Sequence, residues 1–390
     1  MIFSVSKRSS SGKEAILKRL TLFIGMALLI AVSAYTTGDQ EPAATGPTDV
    51  EFMFAGGNRA EILGDVIDIF NEQSSEMEVE LILSPEYRPA LQSRLAAGNA
   101  PDIGTHIVGP ELIEYVRAGH LRDLSDEDFL DYVNPAALGS VTVDTGIYAV
   151  PLDTSAWGLF YNKDLLEQAG ILEFPETFPE LQDAVDALQR EGITPFGLAL
   201  QAAWTIGQVF AIGSSPLLYD DVYEDLDAFQ NGDYTFDSDA TRTAIRTLDL
   251  MLNNAQSRAA DTDLSGQYTA FATEQVAMIP QGNWSMFQIR QLNPEINAGH
   301  AALPLTDDPD QTLFAADYAL VLNVFDTEDI GGVREFLDFF LDTSGDARVY
   351  YESIGIPTAI KGEIESLDDM TIDYLAALDA GKTVPWLQTL

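Results

Sequence analysis

The chain is 390 residues long and carries 62 Asp and Glu against 20 Lys and Arg, a formal net charge of −42 at pH 7. So acidic a chain excludes nucleic acid as a natural partner, because gripping a phosphate backbone needs basic patches, and it argues against adsorption to anionic lipid. It has no cysteine, and its three histidines (His106, His120 and His300) are scattered, so disulfides, thiolate nucleophiles, a zinc-type metal site and a bound cofactor are not expected.

The N-terminus has the layout of a secretory signal. Lys7, Arg8, Lys13, Lys18 and Arg19 lead into an apolar run from Leu20 to Val32, and Val32-Ser33-Ala34 offers small residues for a cut near Ala34. The run is shorter than the roughly 20 apolar residues of a spanning helix, and polar sequence follows it. Residues 1–36 are read as a signal peptide and the rest as a periplasmic or extracellular protein, without a cysteine to carry lipid. Past that point 15 basic residues face 61 acidic ones. A strongly hydrated surface for a salty habitat, with counter-ions screening the self-repulsion, explains this better than a receptor for cations. Residues 37–47 form a short polar linker, and the length beyond it exceeds what one core usually supports, so two lobes are expected.

Val50-Glu51-Phe52-Met53-Phe54 reads as a strand running into the loop Ala55-Gly56-Gly57-Asn58-Arg59. Ile62, Leu63, Val66, Ile67, Ile69 and Phe70 then give a helical stripe, followed by a strand over Met77 to Leu83 and a helix over Pro89 to Ala97 closed by Gly98-Asn99. This alternation signals an α/β layer with a mainly parallel sheet. Such sheets bind ligands at the carboxyl ends of their strands, which singles out Ala55–Arg59 and a second loop, Gly104-Thr105-His106. Ile147 to Tyr161 is extended and apolar, and a helix from Lys163 to Gln168 stops at Gly170. Further helices are expected at Phe178–Gln189, Ala240–Asn253, Tyr268–Thr273 and Gly332–Leu341, and strands at Val276–Ile279 and Tyr318–Asn323.

Several segments, in order along the chain, resemble the extracellular solute-binding proteins of ABC sugar importers, the group that includes maltose-binding protein. They are Leu91-Gln92-Ser93-Arg94-Leu95-Ala96-Ala97-Gly98-Asn99-Ala100-Pro101-Asp102-Ile103, Gly146-Ile147-Tyr148-Ala149-Val150-Pro151, Trp157 through Leu165, Phe174-Pro175-Glu176-Thr177-Phe178, and Ala277 through Trp284. The resemblance implies an α/β, two-lobed periplasmic-binding-protein fold (type II-like) with hinge crossovers at Tyr148–Pro151 and Ala302-Leu303-Pro304-Leu305. Lobe one then combines residues 48–152 with 305–342, and lobe two 153–304 with 343–390. It implies capture of a mono- or oligosaccharide, delivery to a membrane permease, and a monomer. Relatives usually continue with more helix beyond the equivalent of Leu390.

A sugar packs its C–H faces on aromatic rings and its hydroxyls on fixed donors and acceptors. Trp284 matches the family's stacking tryptophan, its alternative being a core residue. Trp204 follows Gln201 in the loop after Phe196–Leu200, and His106 stands where relatives often place an aromatic platform. Asn58 and Arg59 on the first loop, Asp153 and Ser155 after the first crossover, and Asp317 in an Ala315-Ala316-Asp317 turn are the polar candidates. Asp102 reads as a cap, Tyr161 and Asn162 as structural, and Trp157 as either. The family's first loop often carries a tryptophan or an acid where this chain has Ala55 and Asn58, so its selectivity is expected to differ. A polyamine receptor is the alternative within binding. An exported glycoside hydrolase is the enzymatic rival, needing two carboxylates roughly 5 to 10 Å apart; neither Gly-x-Ser-x-Gly nor His-Glu-x-x-His occurs.

Overall fold

The computed structural model describes residues 48–56, 59–75, 77–106, 108–318, 320–327, 330–362 and 367–387. The signal-peptide and linker readings and the Asn58 candidate fall outside them. The fold is two-lobed α/β, each lobe built around its own sheet.

The first sheet begins as the sequence pattern requires. β1 (Thr48–Phe54), α1 (Ala60–Gln73), β2 (Met77–Leu83), α2 (Tyr87–Ala96), β3 (Ile103–His106) and α3 (Pro110–Arg117) alternate, and β1 lies parallel to both β2 and β3. A small hairpin, β4 (Thr142–Val143) with β5 (Gly146–Ile147), precedes β6 (Ala149–Pro151). The apolar stripe of α1 is buried at Ile62, Leu63, Val66, Ile67 and Phe70, as its spacing predicts.

β7 (Ser155–Asn162), buried along its whole length, is the spine of the second sheet. After it come α4 (Lys163–Gln168), α5 (Phe178–Arg190), β8 (Thr194–Phe196), α6 (Ala203–Ala211), α7 (Ser215–Glu224), α8 (Asp239–Asn253), α9 (Leu264–Ala272), β9 (Val276–Gly282), α10 (Met286–Leu292) and β10 (Ala298–Ala301). Then follow β11 (Phe314–Asp317), β12 (Val321–Val324), α11 (Ile330–Leu341), α12 (Arg348–Ile354), α13 (Ile372–Asp379) and β13 (Thr383–Val384). One edge of β7 pairs antiparallel with β9; the other is shared by β11 near its start and β10 near its end. β12 returns to the first sheet, antiparallel to β3 and β6. Phe336 of α11 meets Phe52 and Phe70 edge-on at 5.9 and 5.3 Å, sealing the first core. Among the described residues no helix is long and apolar enough to cross a membrane.

Three local expectations are corrected. The parallel pattern holds for β1 to β3, whereas β12 completes the same sheet antiparallel to both β3 and β6. Ala315-Ala316-Asp317 is not a turn but the end of β11, a strand too short and alanine-rich to show alternation, made by pairing with Trp157, Ala156 and Ser155. Gly104-Thr105-His106 is likewise strand, held between β1 and β12, because tertiary pairing overrides the weak local signal of a glycine.

The second core contains an ionisable ring. His300 of β10 is fully buried, lies on Phe160 with centroids 4.1 Å apart and planes 10° apart, and donates from Nε2 to the Gln281 carbonyl at 3.2 Å. Burial pushes its pKa down to about 3, and the hydrogen bond offsets only part of that. The unfolded chain, with a histidine pKa of about 6.5, takes up the proton first. His300 therefore contributes stability that is present above about pH 6.5 and lost as pH falls toward about 3, at about 1.4 kcal/mol per unit. In urea unfolding, the wild type should lose about 2 kcal/mol more than His300→Phe between about pH 7 and pH 5.

Candidate binding site between the sheets

The two sheets are joined by segments that run side by side. Leu152-Asp153-Thr154 carries the chain from β6 to β7; Leu152 donates to the Leu320 carbonyl at 2.9 Å, and Thr154 to that of Pro357 at 3.1 Å. The Thr358 hydroxyl donates to Leu152 at 2.6 Å, so residues 355–359 form a further joining segment. The return from second sheet to first comes after Asp317, since the stretch expected to cross at Ala302–Leu305 leads instead into β11.

At this junction Arg59, at the start of α1, pairs with Asp153; the two residues are 8% and 1% exposed. The Ser155 hydroxyl donates to Asp153 Oδ1 at 3.3 Å, and Tyr350 of α12 lies beside the guanidinium. Burial alone would lower the Arg59 pKa, but the Asp153 charge and Tyr350 outweigh it and the net shift is upward. From the other side Asn283 donates to the Thr154 carbonyl at 2.9 Å and accepts from the Ala156 amide at 3.2 Å. Arg59, Asp153 and Ser155, picked from sequence as cleft contacts, thus satisfy one another inside the protein.

A cavity of about 290 Å³ lies between the sheets, with Val108, Ser140 and Thr142 from the first lobe opposite Tyr219, Asp317 and Pro385 from the second. Asp317 ends β11, its carboxylate accepting the Tyr318 amide at 2.8 Å. Tyr219 stands on α7, its phenol pKa raised by burial and then by the charge of Asp317. A larger open depression of about 1150 Å³ near Phe174, Ala377 and Lys382 has walls from the second lobe alone, so it cannot sense the relation between lobes.

The tryptophans divide. Trp157 is core, packed so closely on Gly213 that a Cβ there would come within 2.5 Å of the indole. Trp284 is half-buried just after β9, over Gly282, where a Cβ would fall 2.1 Å from the ring, and edge-on to Trp386 at 5.9 Å. Trp204 is 44% exposed and sits in the first turn of α6 rather than in a loop. His106 is the last residue of β3, opposite Val321. Asp102, read as a cap, instead ties β3 to β1 by accepting the Glu51 amide at 2.9 Å, and Asn162, read as structural, caps α4 through the Leu165 amide at 2.9 Å.

Tyr219, Tyr223 and Trp386 escaped the sequence reading. The two tyrosines are spaced i, i+4 behind Ser215-Pro216, a helix-start signal that was there to be read. Trp386 gave no such signal, since its burial depends on β13 adding to β11 and on the Leu387 amide donating to Ser215 Oγ at 2.9 Å.

Removing one member of the junction pair leaves the other as an uncompensated buried charge. Asp153→Ala should cost about 3–5 kcal/mol in urea unfolding, whereas the double change Arg59→Met with Asp153→Leu should recover most of that loss. Equal losses in the single and double variants would show that the pair is not coupled.

The family model of bacterial extracellular solute-binding proteins matches residues 58–347. The multiple sugar-binding protein of Streptococcus mutans is 24% identical over 309 residues, covering 77% of this chain and 72% of that protein. The melibiose/raffinose/stachyose-binding protein MelE of Bacillus subtilis is 21% identical over 367 residues, 89% of this chain and 83% of its own. Among solved structures, RafE in complex with raffinose has the same fold, with a TM-score of 0.77 at 23% identity over 88% of this chain and 90% of that one. With the family model matching well over half of its length, the chain belongs to the bacterial extracellular solute-binding proteins.

Proposed function

We propose that this protein captures an oligosaccharide between its lobes, outside the cytoplasm, and presents it to the membrane permease of an ABC importer. The observation that carries the reading is the inter-lobe cavity, where a carboxylate (Asp317), a phenol (Tyr219) and the hydroxyl residues Ser140 and Thr142 come from both sides. Such a set suits a polyol, and the named specificities of the Streptococcus mutans and Bacillus subtilis relatives point to the same class. Trp284 is assigned the stacking role from its place in the family pattern, with Trp386 edge-on to its ring, and Trp204 and His106 are kept as candidates from sequence alone.

The strand pairing supports lobes of about residues 48–151 with 321–354 and about 155–317 with 372–387. A ligand touching both walls binds the closed arrangement better than the open one, and that difference moves the lobes about the joining segments. Closure is the signal read by the permease; no bond in the ligand is made or broken. Residues 1–36 act as the export signal, cut near Ala34, and the mature chain works as a monomer. A polyamine receptor is less well supported, since among the described residues lining the cavity Asp317 is the only carboxylate.

Residues 37–390, titrated with mono- to tetrasaccharides and with spermidine while tryptophan fluorescence and melting are followed, test this. A sugar at a hundred times its Kd should add about 2.7 kcal/mol of stability. Asp317→Asn and Trp284→Ala should each weaken it at least about tenfold, about 1.4 kcal/mol. Stabilisation by spermidine alone, fading with added salt, would replace the ligand class.

A further inference from the structure

We infer that the outer face of α7, from Tyr219 to Tyr223, is a second sugar-stacking subsite that selects for chain length. The inference rests on the oligosaccharide reading and extends it. The cavity, at about 290 Å³, is at the small end of ligand sites, which run from about 300 to 1,000 Å³, so a chain of several rings has to project beyond it.

Tyr219 is part of the cavity wall, and Tyr223 stands one helical turn further along the same face. Their rings are parallel within 9°, with centroids 6.0 Å apart, and Tyr223 is 59% exposed. The two rings stack on one another, and the exposed ring of Tyr223 offers a flat surface for the C–H face of a sugar leaving the cavity beside Tyr219. Asp220 and Glu224, both exposed, flank the rings with acceptors for hydroxyls.

The platform is also rigid. Leu218 and Val222, on the neighbouring stripe of α7, are buried against Leu387, and the Leu387 amide is bonded to Ser215 at the start of the helix. An anchored helix presents its aromatic pair at fixed orientation, which keeps the ordering cost of binding low.

The test compares the wild type with Tyr223→Ala and Tyr223→Phe against sucrose, raffinose and stachyose, a series growing from two rings to four. Tyr223→Ala should lose about tenfold or more in affinity for stachyose and less than about twofold for sucrose, while Tyr223→Phe, which keeps the ring, should stay near wild type for all three. Unchanged affinities in Tyr223→Ala, or an equal loss for every sugar, would overturn the subsite and leave sugar capture standing. A folded wild type that binds none of the three would remove both for this sugar class. Melting curves of each variant separate a binding loss from a folding one.

Discussion

The buried pair of Arg59 and Asp153 is the constraint around which the two lobes are arranged. Arg59 stands where the first strand of lobe one gives way to its first helix, and Asp153 in the segment that leaves that lobe. A charge taken this far out of water is tolerable only with its partner in place, so the loop after β1 and the first joining segment are fixed together. Ser155 completes the bonding and Tyr350 lies beside it, bringing in the start of β7 and α12. Such a pair is weak evidence for net stability against an apolar replacement. Its effect is geometric: it fixes the loop-to-helix start of lobe one against the first joining segment.

The ligand-facing parts are attached to that fixed point. Asn283 grips the backbone on both sides of Ser155, and its neighbour Trp284 is the proposed stacking ring. Asp317 lies at the other end of the same arrangement, opposite Ser155 in the β11–β7 register, just before the chain returns to lobe one. Two proposed contact residues therefore sit within a residue or two of the joining segments. A ligand pulling on either acts directly on the backbone whose torsions change as the lobes move.

Much of this was legible in the sequence, for identifiable reasons. The stripe of α1 and the order of its motifs gave the lobe-one layer, because a helix on a parallel sheet must repeat its apolar residues at fixed spacing. The same pattern could not show which polar residues face the cleft. Arg59 and Asp153 are 94 positions apart, and nothing local reveals that they neutralise each other. β11 and β3 were read as turn and loop because four residues cannot display a period, and long-range pairing alone makes them strands. Trp386 was missed for a related reason: its place depends on the last strand adding beside β11.

That last strand links the proposed aromatic surfaces. β13 lies parallel to β11, so the residues following it emerge beside the strand that ends in Asp317. Pro385 then enters the cavity wall, Trp386 backs Trp284, and Leu387 anchors the helix of Tyr219 and Tyr223. Three consecutive residues thus contact the cavity, Trp284 and the helix of Tyr219, the last two lying more than sixty residues apart in the chain. Rigid support of this kind lets a half-exposed ring contribute to binding without first being ordered by the ligand. Arg290 meets Asp368 in a two-pronged grip at 2.6 and 2.9 Å, joining elements 78 positions apart. Paired charges of this kind keep the interior electrostatics local.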